Sequence, residues 1–328
     1  MKNLIKHSRN IVQDALQGFV KLHADLLFLE KENLIINKQL TNAERVTLVA
    51  FGACGNELGF SRYVGEGLVD VAVVGDLLSA PGPQSCLDAL KMADKGYGVV
   101  LLNLNQLGDN LSAEIAAKEA EKLGIKVSRI VVCDEVVLGE GPDVRRGLGG
   151  CLPVCKIIGA AALNGKSLEE ITRLAQSFID NMATVTIAFN DKEMKLNNGI
   201  RGENDGEIIA STTSDALAIE VTGMLIQDLQ LQAGEVVYTM INTSGNINHI
   251  EAAIFGRDVL NALEQHDFVL ASIVSGALFE MPETSVQVTI ARMEQEVKSY
   301  LAAPCKSVAY KIKSVSYTHL TLPTILLV

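Results

Sequence analysis

Short runs rich in Val, Ile and Leu recur along the first 132 residues, with helical segments between them, and this alternation most constrains the fold. The runs are residues 45–51, 69–74, 98–104 and 127–132. Between the last two, residues 111–123 are rich in Ala, Glu and Lys and end at Gly124, which is typical of a helix. Strands that alternate with helices predict right-handed crossovers and a parallel sheet, so we predict an α/β fold.

A polar stretch around residue 190 predicts a boundary between two α/β domains. We place the first domain, with a glycine-rich substrate loop, at residues 1–188 and the second at residues 189–314. Further helices are predicted at 155–162 and 168–182, with Ser167 as a possible N-cap, and at 214–227 and 247–264. Further strands are predicted at 236–241, 268–275 and 285–291.

The composition restricts the partners that the chain can have. With 48% hydrophobic and 20% charged residues it can bury a large core. A formal net charge of −11 repels phosphate backbones and anionic lipid, so we expect neither nucleic acid nor membrane as a partner. No apolar run approaches the roughly 20 residues of a membrane span, and no signal-peptide core is found, so we expect a cytoplasmic location. The six cysteines form no Cys-x-x-Cys pair, which favours reduced, packed thiols.

The C-terminal stretch differs from the rest of the chain. Residues 315–328 contain no charged side chain and resemble a translated sequencing adapter. We therefore exclude them from the fold prediction, and on this interpretation the natural C-terminal sequence is absent. The alternative is a genuine apolar C-terminal strand.

Glycine-containing motifs follow several of the predicted strands. The first is Gly52-Ala53-Cys54-Gly55-Asn56-Glu57, where glycines would let backbone N–H groups approach a small ligand. The others lie at residues 63–67, 75–81, 105–109, 145–147, 159–162 and 199–203. In order and spacing these motifs resemble those of the substrate-binding (K) subunit of bacterial dihydroxyacetone (glycerone) kinases, along nearly the whole chain. The resemblance implies the two α/β domains of that subunit type.

The resemblance also implies an activity and a set of partners. Subunits of this family present dihydroxyacetone, or a related small polyol or keto-sugar, for phosphoryl transfer. One histidine captures the ketone as a covalent hemiaminal, while a loop histidine and an aspartate act as acid and base. ATP, or bound ADP with Mg, is held by a separate nucleotide-binding subunit, which a phosphotransferase-system protein recharges in some organisms. We therefore expect no cofactor or metal in this chain, a nucleotide-bearing partner and a homodimer.

Three positions of the implied pocket depart from the family pattern. Arg201 stands where the family has its substrate-bonding histidine, Asn56 replaces the loop histidine, and Leu104 replaces a lysine. A guanidinium stays protonated and an amide does not titrate near neutrality, so we predict no covalent capture. The predicted site comprises Asp109 as the catalytic residue and, as substrate-binding residues, Gly52, Ala53, Gly55, Asn56 and Arg201. Arg201 would suit an anionic substrate.

Each candidate residue also has a purely structural interpretation. Asp109 can be a helix N-cap or a turn residue, and the glycines at 52 and 55 can form a bare strand-to-helix turn. Arg201 can be solvated or paired with Glu203. Two further pairs are weaker candidates: Arg145-Arg146, more typical of a solvated pair than of a phosphate clamp, and the acidic pair Asp134-Glu135.

For the whole chain, two classes of function remain open beside a kinase subunit. One is a catalytically inactive paralogue that acts as a ligand sensor or coactivator, which the loss of both histidines favours. The other is a structural dimer partner of an active paralogue.

Overall fold

A computed structural model describes residues 10–54, 58–136, 145–189, 194–196, 207–209, 213–281 and 283–313. Its helices are α1 (Ile11–Leu22), α2 (Pro83–Ala93), α3 (Leu107–Lys122), α4 (Cys151–Leu163), α5 (Leu168–Asp180), α6 (Ser214–Leu229), α7 (His249–Glu264) and α8 (Gln295–Ala302). Its strands are β1 (Leu27–Glu30), β2 (Leu34–Asn37), β3 (Thr47–Cys54), β4 (Gly65–Glu66), β5 (Val71–Leu77), β6 (Val99–Leu104), β7 (Val127–Val132), β8 (Met182–Phe189), β9 (Met194–Leu196), β10 (Glu207–Ile208), β11 (Val236–Ser244), β12 (Val269–Gly276), β13 (Ser285–Arg292), β14 (Cys305–Ser307) and β15 (Lys311–Ile312).

The first sheet contains the four predicted strands and has the order β1-β2-β5-β3-β6-β7. Strand β3 pairs in parallel with both β5 and β6, and β6 pairs in parallel with β7. The hairpin of β1 and β2, which the sequence patterns did not predict, adds two antiparallel strands beside β5. The predicted α/β fold with parallel strands is thus confirmed.

The second sheet is mixed and has the order β10-β9-β8-β13-β11-β12. Only β11 and β12 are parallel, while β13 runs antiparallel to both β11 and β8. The run at 182–189 is strand β8 rather than the end of the helix predicted at 168–182. That helix, α5, ends at Asp180, and its start is fixed by a capping box in which Ser167 and Glu170 satisfy each other's backbone N–H groups.

Helices and sheets alternate in five layers. Helices α2 and α3 cover one face of the first sheet, and α4 and α5 pack between the two sheets in one continuous core. Helices α6 and α7 cover the outer face of the second sheet. Each fully buried Val, Ile or Leu in these cores contributes about 1.5–3 kcal/mol, which explains how a chain without tryptophan holds its layers together.

The C-terminal part of the chain returns to the first sheet's side of the molecule. Helix α8 packs on α4, and β14 pairs antiparallel with β4, which places Lys306 opposite Glu66. The predicted boundary near residue 189 stays a prediction, since α4 and α5 share one core with residues of both sheets. None of the helices in the described ranges combines the length and apolarity that crossing a bilayer requires.

Candidate functional site

The strand order creates a crevice at the carboxyl ends of β3 and β6. The chain passes from β3 to β5 on one side and then crosses back to β6 on the other, so the connections diverge between β3 and β6. In open α/β sheets, ligands bind outside the carboxyl ends of the strands at such a switch point. The residues at this place are Gly52–Cys54 on β3 and Asn103–Asn105 at the end of β6, with Phe51 paired to Asn103.

The end of β3 is held by two loop residues with left-handed backbone. The N–H of Leu78 donates to the carbonyl oxygen of Cys54 over 2.7 Å, and Leu78 has a φ of +54°. Gly59 also has a φ of +54°, and a Cβ there would lie 3.5 Å from the carbonyl oxygen of Gly52 and 3.6 Å from that of Ala53. The predicted substrate residues Gly52 and Ala53 therefore lie against the returning loop at the crevice.

Protein packing does not require glycine at position 52. A Cβ there would meet only the ring of Phe60, at an ordinary contact distance of 3.6 Å. Close approach of a substrate to the backbone would explain a glycine at this position, because a glycine has no Cβ in the way. The neighbouring predictions Gly55 and Asn56 lie outside the described residues.

Asp109 lies in the first turn of α3 and is only 3% exposed. It is not the N-cap, because that position belongs to Gln106. The helix dipole favours a carboxylate in this turn. Burial and the Asp109 carboxylate together raise the pKa of the Cys86 thiol on α2 to about 12, which places Asp109 near α2. Gly108 lets the turn approach the loop between β5 and α2, since a Cβ there would lie 3.2 Å from Cβ of Ala80.

An asparagine network joins the end of β6 to α3. Nδ2 of Asn103 donates to Oδ1 of Asn110 over 2.8 Å, and Nδ2 of Asn110 donates to Oδ1 of Asn105 over 2.7 Å. Nδ2 of Asn105 then donates to the carbonyl oxygen of Arg145 over 2.7 Å. The sequence patterns did not predict these contacts, although three asparagines within residues 103–110 are an unusual density for a strand end.

Arg145 is neither a solvated cation nor a phosphate clamp. Its guanidinium makes two hydrogen bonds to the carboxylate of Asp228 on α6, that from Nη1 being 2.9 Å long. Both side chains are largely buried, with 21% and 14% exposed. The interpretation of Arg145 as a solvated residue is therefore wrong, because its guanidinium is paired with the carboxylate of Asp228 on α6.

In the acidic pair Asp134-Glu135, which follows β7, Asp134 has a structural role. Asp134 accepts hydrogen bonds from the N–H groups of Leu148 and Gly150, at 2.6 and 2.8 Å, and from the hydroxyl of Thr184. Burial raises the pKa of this carboxyl group. Within the part of the chain that the structure describes, no cluster of three metal-ligating side chains is found.

Several of the glycine motifs maintain close packing rather than contact with a ligand. A Cβ on Gly159 would collide with the backbone of Gly67, and one on Gly65 with the backbone of Lys306. Gly75 likewise allows the backbone at Ser79 to fold back on β5. These motifs explain how α4, β4 and β14 approach one another.

The structure thus brings together three of the six predicted site residues, Gly52, Ala53 and Asp109, at one edge of the first sheet. Leu104, at the implied lysine position, is half-buried at the same edge. Arg201 lies outside the described residues, as do Gly55 and Asn56.

Comparison with known proteins gives the family. The model of the Dak1 domain matches residues 17–309. The dihydroxyacetone-binding subunit DhaK of PTS-dependent dihydroxyacetone kinase 2 from Listeria innocua is 28% identical over 330 residues, covering 95% of this chain and 100% of that protein. The corresponding subunit of kinase 1 from the same organism is 30% identical, covering 90% and 95%.

Solved structures agree with this fold. One, described as the regulation of the dha operon of Lactococcus lactis, has a TM-score of 0.85 at 25% identity and covers 94% of this chain and 98% of its own. The dihydroxyacetone kinase operon co-activator DhaQ has a TM-score of 0.85 at 24% identity, covers 93% and 100%, and shows the shared fold. The match along most of its length places this chain in the Dak1 domain family.

Proposed function

We propose that the chain presents dihydroxyacetone, or a related small polyol or keto-sugar, for phosphorylation by a nucleotide-bearing partner subunit. The observation that carries this proposal is the buried carboxylate of Asp109 in the first turn of α3, at the crevice where Gly52 and Ala53 end β3. The similar DhaK subunits are named as dihydroxyacetone-binding, and these names support the substrate class.

In this proposal Asp109 is the general base. As the substrate hydroxyl oxygen attacks phosphorus, its proton passes to the carboxylate while the bond from phosphorus to the donor's leaving group breaks. Burial favours the transfer because it excludes competing water from the carboxylate. The donor is ATP, either taken up as such or regenerated from bound ADP by a phosphotransferase-system protein, and the partner subunit would hold this nucleotide with Mg.

Substrate binding is noncovalent in this proposal. Arg201 keeps its proton at physiological pH, so it has no free nitrogen lone pair with which to attack a ketone. Its planar charge would pair with an anionic substrate such as a sugar acid. The protein would act in the cytoplasm as a homodimer, as the resemblance to kinase subunits implies.

The test combines a transfer assay with detection of the ketone. The chain is purified with a nucleotide-binding partner subunit, and trioses, tetroses and sugar acids are screened for phosphorylation with ATP and Mg, or with phosphotransferase proteins. In parallel, dihydroxyacetone labelled with ¹³C at its carbonyl carbon is added to excess protein. We expect transfer to one of these substrates, and only the signals of free and hydrated ketone. A new protein-bound carbon signal would contradict noncovalent binding.

A second function is favoured by Asn56 and Arg201, which replace both histidines of the family pocket. On this alternative the chain is an inactive paralogue that senses a ligand or coactivates another protein. Calorimetry separates the two functions: reversible binding without transfer in the presence of the partner supports the sensor. Absence of binding to every polyol tested rejects both and leaves a structural dimer partner.

A further inference from the structure

We infer that Arg145 is a positioning residue, whose ion pair with Asp228 fixes the turn of α3 that carries Asp109. The inference rests on the proposed function for its catalytic consequence. Its structural basis is a continuous chain of polar contacts that runs from α6 to the start of α3.

The start of α3 lacks the usual side-chain cap. Gln106 occupies the N-cap position, but its side chain accepts no hydrogen bond from the first turn. Helices without such a cap lose about 1 kcal/mol of local stability, so the first turn needs another restraint. The asparagine network supplies it, because Asn105 precedes the cap and Asn110 follows Asp109 directly.

Asn103 anchors this network in the sheet. It is fully buried on β6, and Nδ2 donates both to Oδ1 of Asn110 and to the carbonyl oxygen of Leu104, each over 2.8 Å. These two bonds fix the orientation of its amide. One end of the network is therefore anchored on β6, an inner strand of the first sheet.

The other end is held by the segment at 145–147. Gly147 lets this segment lie close against the ends of β6 and β7. A Cβ there would lie 2.9 Å from N of Asn105 and would collide with the carbonyl oxygen of Val132. The N–H of Glu135 donates to the carbonyl oxygen of Arg146 over 3.0 Å. The carbonyl oxygen of Arg145 is thereby presented to Nδ2 of Asn105.

The guanidinium of Arg145 then connects this segment with α6, which covers the outer face of the second sheet. A bidentate arginine–carboxylate pair has a defined geometry, and limited exposure protects this one from solvent screening. Loss of the Asp228 charge should release Arg145 and loosen the network behind Asp109. A carboxylate that is displaced by even a fraction of an ångström transfers protons less efficiently.

The test uses two matched charge removals in the holo complex with the partner subunit. Asp228→Asn breaks the Arg145 pair, while Asp258→Asn breaks the pair of Asp258 with Arg257 on α7, which lies in the same helix layer and shares no residue with the network. We expect Asp228→Asn to lower kcat about 10-fold with KM changed less than about 2-fold. Asp258→Asn should leave both unchanged, and the charge-swapped double variant Arg145→Asp with Asp228→Arg should recover part of kcat.

A second readout is independent of activity. Hydrogen exchange of the amides at 107–112 should accelerate in Asp228→Asn and not in Asp258→Asn. Unchanged exchange and unchanged kcat in Asp228→Asn would overturn the inference. If the wild-type complex phosphorylates nothing, the proposed function fails, and the exchange experiment alone still decides whether Arg145 positions α3.

Discussion

Nζ of Lys156 donates a hydrogen bond to the main-chain carbonyl oxygen of Tyr300 over 2.9 Å. Lys156 lies on α4 and is 1% exposed, and Tyr300 lies in the last turn of α8. A cation at a helix C-terminus satisfies carbonyl groups that have no partner within the helix. This contact therefore attaches the C-terminal helix to the layer between the two sheets.

The same burial predicts a pH-dependent contribution to stability. It lowers the pKa of the Lys156 ammonium from 10.5 to about 8. Between these values the unfolded state binds the proton and the folded state does not, so stability rises with pH through this window. Relative to Lys156→Met, the wild-type free energy of unfolding should increase by up to about 3 kcal/mol between pH 8 and 10.5.

Urea unfolding of both proteins at several pH values measures this difference. Lys298→Met, on the exposed side of α8, is the control: it retains Lys156, so its difference from the wild type should stay constant across this pH window. A constant difference between wild type and Lys156→Met across the window would contradict the prediction.

The carboxylate of Asp109 provides a second prediction. Asp109→Asn keeps the size of the side chain but removes the base, so kcat of the complex should fall at least about 100-fold. Asp215→Asn changes an exposed aspartate in the first turn of α6 and should leave kcat unaltered. Steady-state assays with the partner subunit compare the two. Retention of wild-type kcat in Asp109→Asn would exclude it as the base.

The parallel strands could be predicted from sequence because each contains a short run rich in Val, Ile or Leu. The predicted strand at 98–104 is β6, and that at 127–132 is β7. Helix α2 was missed because it begins with Pro83 after a glycine, a pattern shared with turns, and Pro at the first helical position is also a common helix start. Strand β8 was missed because its apolar run follows α5 without a glycine or proline between them.

The site could be predicted only in part. Asp109, Gly52 and Ala53 stand in motifs that are recognisable in one stretch of sequence, and the structure places all three at one sheet edge. The pair Arg145–Asp228 spans 83 residues, and the network of Asn103, Asn105 and Asn110 depends on how β6 meets α3. Contacts between distant segments leave no local pattern, so they require the fold.

The thiols provide a third prediction. None of the six cysteines, all of which lie within the described residues, forms a disulfide; five are buried, and Cys133 is half-buried. Burial raises the pKa of Cys155, and together with Asp109 it raises that of Cys86 to about 12, so both stay protonated and unreactive near pH 8. A short pulse of N-ethylmaleimide followed by peptide mass spectrometry should label Cys133 first. Labelling of Cys155 at the same rate would show that α4 opens readily.

Two helical glycines provide a matched test of the packing between α4 and β4. Gly159 lies in α4, where a Cβ would collide with the backbone of Gly67, whereas Gly223 lies in α6 with nothing within 4 Å of an added Cβ. Gly159→Ala should therefore destabilise the protein by about 1–3 kcal/mol through overpacking. Gly223→Ala should stabilise it by about 0.5–1 kcal/mol, because alanine restricts the unfolded chain.

Both effects appear as shifts of the urea midpoint, in opposite directions and with unchanged slopes. The opposite signs separate local packing from helix propensity, which alone would make both substitutions stabilising. A stabilising effect of Gly159→Ala would mean that α4 can move away from the turn at Gly67. In that case, close approach of the α4 backbone to that of Gly67 would not explain why the motif at 159–162 begins with a glycine.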